Sequence, residues 1–229
     1  MILWLALFVL VIAISFVLAL QSMRDYQEIP QKPKEEYGLF LIRRLDNFNP
    51  VILESILKQV FAKNLIISIE RLFKGNQTAL TIFGSKTILQ RFNNDLDFLE
   101  LEDYALNLDS KDVSVWEMGV RDADKFNEDN LGDIFHNFPK LEDEDQFFWQ
   151  VVVGKERAQI RAALYSKKPA RRKVLAPVLQ NLTLGTLIKV PKPFSIEQMM
   201  GFYRSRSLGK DSKAPDLDSA GVMRLLKFS

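Results

Sequence analysis

The sequence contains no cysteine and only one histidine among its 229 residues. Without cysteine the chain can form no disulfide, no iron–sulfur cluster, no thiolate nucleophile and no cysteine-ligated zinc site. The single histidine, His136, cannot build a multi-histidine metal site, so we expect it to have a structural role. The composition therefore predicts no metal site and no cofactor.

Motifs for nucleotide binding and hydrolysis are also missing. Residues 84–87, Gly-Ser-Lys-Thr, resemble the end of a phosphate loop, but the first glycine of that motif is absent, so they predict an ordinary helix start. No Gly-x-Ser-x-Gly nucleophile motif occurs. Asp143 and Asp145 lie in a polar run where we expect exposed carboxylates, unsuited to general acid catalysis. The sequence predicts no catalytic residues, and hence a protein that is not an enzyme.

Residues 1–20 carry no charged side chain, and Ser15 is their only polar one. About 20 apolar residues are needed for a helix to cross a hydrocarbon core of roughly 30 Å. A cleaved signal peptide is the alternative, but its apolar stretch is shorter and a basic residue normally precedes it. We therefore expect a single-pass transmembrane helix over residues 1–20, which makes the membrane the first predicted partner.

Cations follow this apolar segment and none precedes it. Arg24, Lys32 and Lys34 lie close to its end, and such residues are retained on the cytoplasmic side of a membrane. We therefore expect a membrane protein whose C-terminal domain is cytoplasmic. Residues 21–37 are polar, contain two prolines and show no apolar period, which predicts a stalk linker.

Residues 38–121 show the segment order β-α-β-β-α-β. Strands are predicted at 38–45, 65–73, 78–83 and 113–120, with a hairpin turn at 74–77. Helices are predicted to begin at Pro50 and after Ser85. The apolar stripe of the first helix is traced by Val51, Ile52, Ser55, Ile56, Gln59 and Val60. This order predicts a ferredoxin-like domain within an α+β fold, and a looser α+β domain is the alternative.

The remaining residues are predicted to form a linker, a second unit and a tail. Residues 122–145 are acidic and indicate a linker or insertion. Residues 146–203 predict a second small α+β subdomain. Its strands are predicted at 146–153 and 158–165, paired through a turn at 154–157, and at 187–190, and a helix is the alternative for residues 158–165. A basic helix is predicted at 169–182, followed by a short helix whose capping box is Ser195 and Gln198. Residues 204–229 are predicted to be a flexible tail that ends in a turn.

Charge is segregated along the chain. Residues 94–145 carry 4 basic and 17 acidic side chains, whereas residues 146–229 carry 16 and 5. Two parts of the protein that complement each other explain this pattern most simply, and a basic surface for phosphate or an acidic partner is the alternative. The candidate contact residues for phosphate, nucleic acid or an acidic partner lie around the start of the basic helix: Lys167, Lys168, Arg171, Arg172 and Lys173.

Three stretches carry a family resemblance: the strand at 67–70 with its hairpin return; the run 148–153 followed by 159–161 and 171–172; and the tail from 203–206 to 225–228. They resemble the uncharacterised, membrane-anchored N-terminal regions that accompany type IV secretion and conjugation-type ATPases in candidate-phylum bacteria. The ATPase module with its phosphate loop is absent from this chain. The resemblance implies a non-catalytic accessory or docking domain.

Two functions follow as expectations. The first is a membrane-anchored scaffold that acts through protein–protein contacts in a secretion or DNA-transfer apparatus, where a secretion-type ATPase is the implied partner. The second is a membrane-tethered nucleic-acid-binding module that uses the basic C-terminal third. No aromatic residue lies between Lys167 and Lys173 to stack bases, which favours the first function.

Overall fold

The computed structural model describes residues 35–120, 138–155, 157–182, 187–190, 194–209 and 219–226. Contacts divide the chain into residues 1–32 and residues 33–229. The predicted transmembrane helix, nearly all of the predicted stalk, His136 and most of the predicted acidic linker lie outside the described residues. Within the described ranges, no helix has the length and apolar character that a membrane span requires.

The fold is α+β and is built on one antiparallel sheet of eight strands. The strands are β1 Tyr37–Ile42, β2 Ile67–Lys74, β3 Gln77–Ser85, β4 Phe98–Leu101, β5 Val113–Val120, β6 Gln146–Val153, β7 Ala158–Tyr165 and β8 Leu187–Val190. Their order across the sheet is β4-β1-β3-β2-β6-β7-β5-β8. Because β2 pairs with β6 along its whole length, strands from both predicted units belong to the same sheet.

Six α-helices and three short 3₁₀ segments lie within the described residues. The helices are α1 Pro50–Ala62, α2 Lys86–Leu89, α3 Asn93–Leu96, α4 Pro169–Gln180, α5 Ile196–Ser205 and α6 Ser219–Leu226. The 3₁₀ segments are Leu45–Asn47, Gln90–Phe92 and Tyr104–Asn107. Residues 204–229 are predicted to be a flexible tail. The structure instead places residues 204 and 205 at the end of α5 and forms α6 from residues 219–226.

The fourth strand of the first half is not the predicted one. The strand beside β1 is β4, at residues 98–101, and Val113–Val120 pairs with β7 and β8 in the second half. Asp97 ends α3 in the left-handed conformation, with φ 50°, and the chain enters β4 at the next residue. Only four residues long and half exposed, β4 lacks the apolar alternation by which a strand is recognised in a sequence.

Local signals explain where the elements begin and turn. The side-chain oxygen of Asn49 accepts hydrogen bonds from the backbone N–H groups of Val51 and Ile52, and Pro50 takes the first helical position of α1. Gly75 turns the β2–β3 hairpin with φ +55°, a conformation that glycine adopts without strain. The stripe predicted for α1 is rotated, because Val51 is 71% exposed while Leu53 and Leu57 are buried.

The two faces of the sheet differ in chemistry. One, here called the apolar face, presents side chains such as Ile69, Trp149 and Ile160, and residues from α1, α2, α3, α4 and α6 join them in one cluster. The alternate residues of the same strands form the polar face, which includes Ser68, Glu70, Gln150, Gln159 and Arg161, all fully buried. The polar face lies under α5 and the 3₁₀ segment Tyr104–Asn107.

Candidate functional site

The predicted basic cluster surrounds the start of α4. Lys167 and Lys168 precede the helix, Pro169 takes its first position, and Arg171 to Lys173 are its third to fifth residues. The side chain of Lys168, at the N-cap, makes no capping hydrogen bond. The structure therefore brings all five predicted residues to one end of a single helix.

Two of the five cations are neutralised by the acidic stretch that precedes β6. The ammonium of Lys168 lies 3.1 Å from Glu142, and the guanidinium of Arg171 lies 2.8 Å from Asp145. Asp145 is buried rather than exposed as expected. Burial by itself would raise the pKa of Asp145, but hydrogen bonds from Ser166 and Arg171 outweigh it and hold that pKa below its ordinary value. This part of the predicted linker therefore binds α4.

Arg172 ties α4 to two strand ends. It donates hydrogen bonds to the backbone carbonyls of Ser166, after β7, and of Lys111, before β5, the latter at 2.7 Å. A carboxylate oxygen of Asp112 lies 3.6 Å from the same guanidinium. Arg172 is thus engaged with its own chain and has a structural role at this position.

Two cations and two apolar residues at and near the start of α4 are exposed. Lys167 and Lys173 are exposed, and neither forms an ion pair with a carboxylate in the described ranges. Val174 and Val178, one turn apart, are 65% and 46% exposed. A cleft of about 390 Å³ lies between α4 and Ser114 of β5, and Arg172, Lys173 and Ala176 are among the residues that line it. We call the four residues Lys167, Lys173, Val174 and Val178 the α4 surface.

A second cluster, which the sequence did not predict, lies on the polar face. The carboxylate of Glu70, in β2, accepts hydrogen bonds from Ser68 at 2.8 Å, Gln150 at 3.1 Å, Tyr104 at 2.7 Å and Arg206 at 2.8 Å. Burial would raise the pKa of Glu70, but the charge of Arg206 and these hydrogen bonds outweigh it, so the pKa is lowered. Glu70 is therefore a buried carboxylate that stays ionised.

Arg206 is the partner of Glu70 and is itself fully buried. It ends α5 in the left-handed conformation, with φ 51°, and its guanidinium also contacts Asp103 at 2.6 and 2.9 Å. The guanidinium carbon lies 4.2 Å from the centre of the Phe83 ring, in cation–π geometry. Burial would lower the pKa of Arg206, but Glu70 and Asp103 outweigh it and raise that pKa well above its ordinary value.

Two tyrosines extend this cluster. The hydroxyl of Tyr104 donates to Glu70, and the hydroxyls of Tyr104 and Tyr203 lie 2.7 Å apart. Burial, followed by the negative charge of Glu70, raises the pKa of both phenols well above the ordinary value. Both tyrosines therefore stay neutral and act as hydrogen-bonding groups.

Arg161 forms the second charged centre of the polar face. It donates to the backbone carbonyls of Phe202 and Ser207 and to the side-chain oxygen of Gln159. Glu117 lies 4.0 Å from its Nε atom. Burial lowers the pKa of Arg161 to about 10, against the opposing effect of Glu117. The side chain therefore ties β7 to the end of α5 and to the residues that follow it.

The sequence did contain a signal for this cluster. Ser68 and Glu70 in β2, and Gln159 and Arg161 in β7, are pairs of polar residues two positions apart within their strands. The rest of β7 is apolar or aromatic, whereas β2 also contains Arg71 and Lys74. That spacing places both members of each pair on one face of the sheet. Because Glu70 and Arg161 are buried beneath α5, they cannot contact a solute while α5 is in place.

Neither the possible metal ligands nor a comparison with known proteins indicates a function. Within the described ranges, no group of three histidine, cysteine, aspartate or glutamate residues has the arrangement of a metal site. No known protein-family model matches the chain, and a search of curated proteins finds no significant match.

Proposed function

We propose that this chain is a non-catalytic docking protein, held at a membrane by residues 1–20, whose α4 surface binds an acidic protein partner. The supporting observation is the combination of Val174 and Val178, exposed one turn apart, with Lys167 and Lys173, which pair with no carboxylate among the described residues. Exposed apolar side chains rimmed by charge are typical of protein-binding sites. The partner presents apolar residues to the valines and carboxylates to the lysines.

The chemistry of the α4 surface favours protein over nucleic acid. Nucleic-acid binding rests on many phosphate contacts, and single strands also need aromatic side chains for base stacking. Lys168 and Arg171 are already paired with Glu142 and Asp145, and Arg172 is hydrogen-bonded to its own chain. Two lysines beside two valines fit the mixed apolar and acidic face of an amphipathic helix better than they fit a row of phosphates.

The dimensions of α4 also fit a helical partner. Its 12 residues span about 18 Å at 1.5 Å per residue, which matches roughly three turns of a second helix. A partner helix with apolar residues at positions i and i+4 would place them opposite Val174 and Val178, with an acidic residue beside Lys173. The family resemblance of the sequence extends this proposal to a secretion-type ATPase as the class of partner.

The finer fold assignment is part of the same proposal. The strand order β4-β1-β3-β2, with α1, α2 and α3 packed in one apolar cluster, supports a ferredoxin-like unit over residues 37–101. In this assignment β6, β7, β5 and β8 extend that unit at the free edge of β2 and carry α4. The sheet thus provides a rigid support for the docking helix.

A photo-crosslinking experiment tests the docking proposal. A photoreactive amino acid replaces Val174 in the full chain, and Val51 on α1, which is equally exposed, is the matched control position. We expect a crosslinked protein with acidic segments at position 174 and none at position 51. The double variant Lys167→Glu/Lys173→Glu should abolish the crosslink, because it reverses the charge of the surface. A crosslink at 174 that survives this charge reversal contradicts the proposal.

Two further measurements test the remaining parts. The full chain should stay in the membrane fraction after alkaline washing, and a chain lacking residues 1–20 should not. Recovery of the washed full chain in the soluble fraction contradicts the anchor. If the full chain retains DNA or RNA at physiological salt and loses it in the variant Lys167→Gln/Lys173→Gln, the nucleic-acid function replaces the docking function.

A further inference from the structure

Residues 196–209 lie over the polar face of the sheet beside the 3₁₀ segment Tyr104–Asn107, and we call residues 196–209 the cover. The cover consists of α5 and the four residues after it, and it is bound mainly through hydrogen bonds and ion pairs. Arg206 contacts Glu70, Arg161 contacts the carbonyls of Phe202 and Ser207, and Gln150 donates to the carbonyl of Tyr203 at 3.2 Å. The partners in these contacts belong to the three central strands β2, β6 and β7. The cover also bonds to residues 103–108, through Arg204 and Arg206.

The apolar contribution of the cover is small. From α5, Met199, Met200 and Tyr203 are buried, and Met200 and Tyr203 belong to a minor apolar cluster with Phe148 and Ala163. The apolar face, by contrast, holds a cluster to which five helices contribute. Separating the cover from the sheet would therefore expose less apolar surface than separating the helices of the apolar face.

The charged groups beneath the cover also reduce the cost of separation. Taking an ion pair out of water costs several kcal/mol per ion, and the attraction between the ions only offsets that cost. When the cover separates, Glu70, Arg161 and Arg206 all regain water together, so no charge is left buried alone. The side-chain oxygen of Gln150 accepts no hydrogen bond from any described group and would gain one from water.

We propose that the cover opens as a unit while the eight-stranded sheet and its apolar face stay folded. Opening exposes a polar strip across β2, β6 and β7, with Glu70 and Arg161 as its charged groups. The cover thus controls the access of solvent and solutes to the polar face, which is buried in the described structure. This proposal is independent of the α4 surface, which lies on a different helix and belongs to the opposite layer.

Two neighbouring alanines allow a matched test of this opening. Ala162 and Ala163 are adjacent in β7, and both are fully buried. Ala162 belongs to the cluster on the apolar face, and Ala163 belongs to the cluster under α5. The chain has no cysteine, so Ala162→Cys and Ala163→Cys each introduce the only thiol in the protein.

The experiment measures the labelling rate of each thiol by a small disulfide reagent, in the full chain without denaturant. We expect Ala163→Cys to be labelled at least tenfold faster than Ala162→Cys, because only the first thiol is reached when the cover opens. The stability of both variants towards urea is measured in parallel. Equal labelling rates, each matching the rate of global unfolding, would overturn the proposal.

Hydrogen exchange in the unsubstituted chain gives a second, independent readout. We expect amides of residues 199–206 to exchange at least tenfold faster than those of β6 and β7, with a weaker dependence on urea, since less surface is exposed. Exchange of both regions at one rate with one urea dependence would show that the cover opens only with the whole domain. That result contradicts the proposal even if a cysteine variant fails to fold.

Discussion

On the apolar face, α1, α4 and α6 place Leu53, Leu175 and Leu225 in one continuous cluster with the strands, whereas on the polar face α5 meets Glu70 and Arg161. The apolar layer is stabilised by the burial of apolar surface. That stabilisation is lost whenever its helices separate from the sheet. The polar layer is stabilised by specific partners, each of which water can replace. One sheet thus carries two layers of different cooperativity.

This difference has a consequence for substitutions. Removing a buried leucine leaves a cavity, and the cost spreads through the packed cluster. Removing one member of a buried ion pair leaves a charge without a partner in a site closed to water, which is costly, although removing both members is not. The two layers are therefore distinguished by whether a second substitution rescues the first.

The largest effect is expected for Arg206→Met. This change leaves the buried carboxylate of Glu70 without its charged partner, so we expect the closed cover to lose about 3–5 kcal/mol. Hydrogen exchange of the α5 amides in the full chain measures this loss. Adding Glu70→Leu should restore most of it, because the buried charge that had lost its partner is then removed. Asp103, the other partner of Arg206, is partly exposed and regains water.

Arg204→Met is the matched control for this prediction. Arg204 lies two residues earlier and donates only to the backbone carbonyls of Ala105 and Leu108. Removing its guanidinium leaves no ion without a partner. We therefore expect the closed cover to lose only about 1–3 kcal/mol of stability. No effect of Glu70→Leu on the Arg206→Met variant would show that the polar layer depends on packing rather than on charge.

Sequence patterns identified the elements with local signals. The hairpin at Gly75, the cap of α5 at Ser195 and the paired strands β6 and β7 each depend on residues within a few positions of one another, and the structure confirms them. The short strand β4 was missed because it has no such pattern. The buried side of a helix is predicted less accurately. In α1, for example, Val51 belongs to the predicted apolar stripe but is exposed.

The polar face and the state of the basic cluster depend on distant residues. Glu70 and Arg206 are 136 positions apart, and Arg171 and Asp145 are 26 apart. Charge counts predicted that acidic and basic regions complement each other, but no local pattern tells which cations are neutralised. The sequence therefore identified α4 and its cations, while the structure separated Lys167 and Lys173 from the three that are engaged.

A smaller effect is expected on acidification. The pKa of Glu70 is lowered in the folded chain, so its contribution to stability is complete above the ordinary glutamate pKa of about 4.3 and is lost as pH falls through the lower folded value. We expect protection of the α5 amides, corrected for the intrinsic exchange rate, to fall as the pH drops below about 4.3. The loss should be smaller than that of Arg206→Met, since a protonated Glu70 still forms hydrogen bonds.

A control separates this acid effect from that of Asp145, another buried carboxylate. Asp145 also has a lowered pKa, but it binds Arg171 on α4 and not the cover. The variant Asp145→Asn should leave the acid response of α5 unchanged, and Glu70→Gln should flatten it. A flattened α5 response in Asp145→Asn would place the acid-sensitive group outside the polar face.

The smallest effect is expected for Ser195→Ala, at the start of α5. The hydroxyl oxygen of Ser195 accepts from the backbone of Gln198, whose side chain accepts from the backbone of Ser195. Loss of such a cap costs about 1 kcal/mol, which is about fivefold in an equilibrium. If the cover opens separately, only the amides of α5 should exchange about fivefold faster.

The control for this prediction is Ser55→Ala on α1, where the hydroxyl is exposed. It should change the amide exchange rates of neither layer. In the Ser195→Ala variant, an equal change of the amide exchange rates of α5, β6 and β7 would contradict separate opening. It would mean that the cap stabilises the whole domain, because all amides of one cooperative unit respond to a change at one end of it.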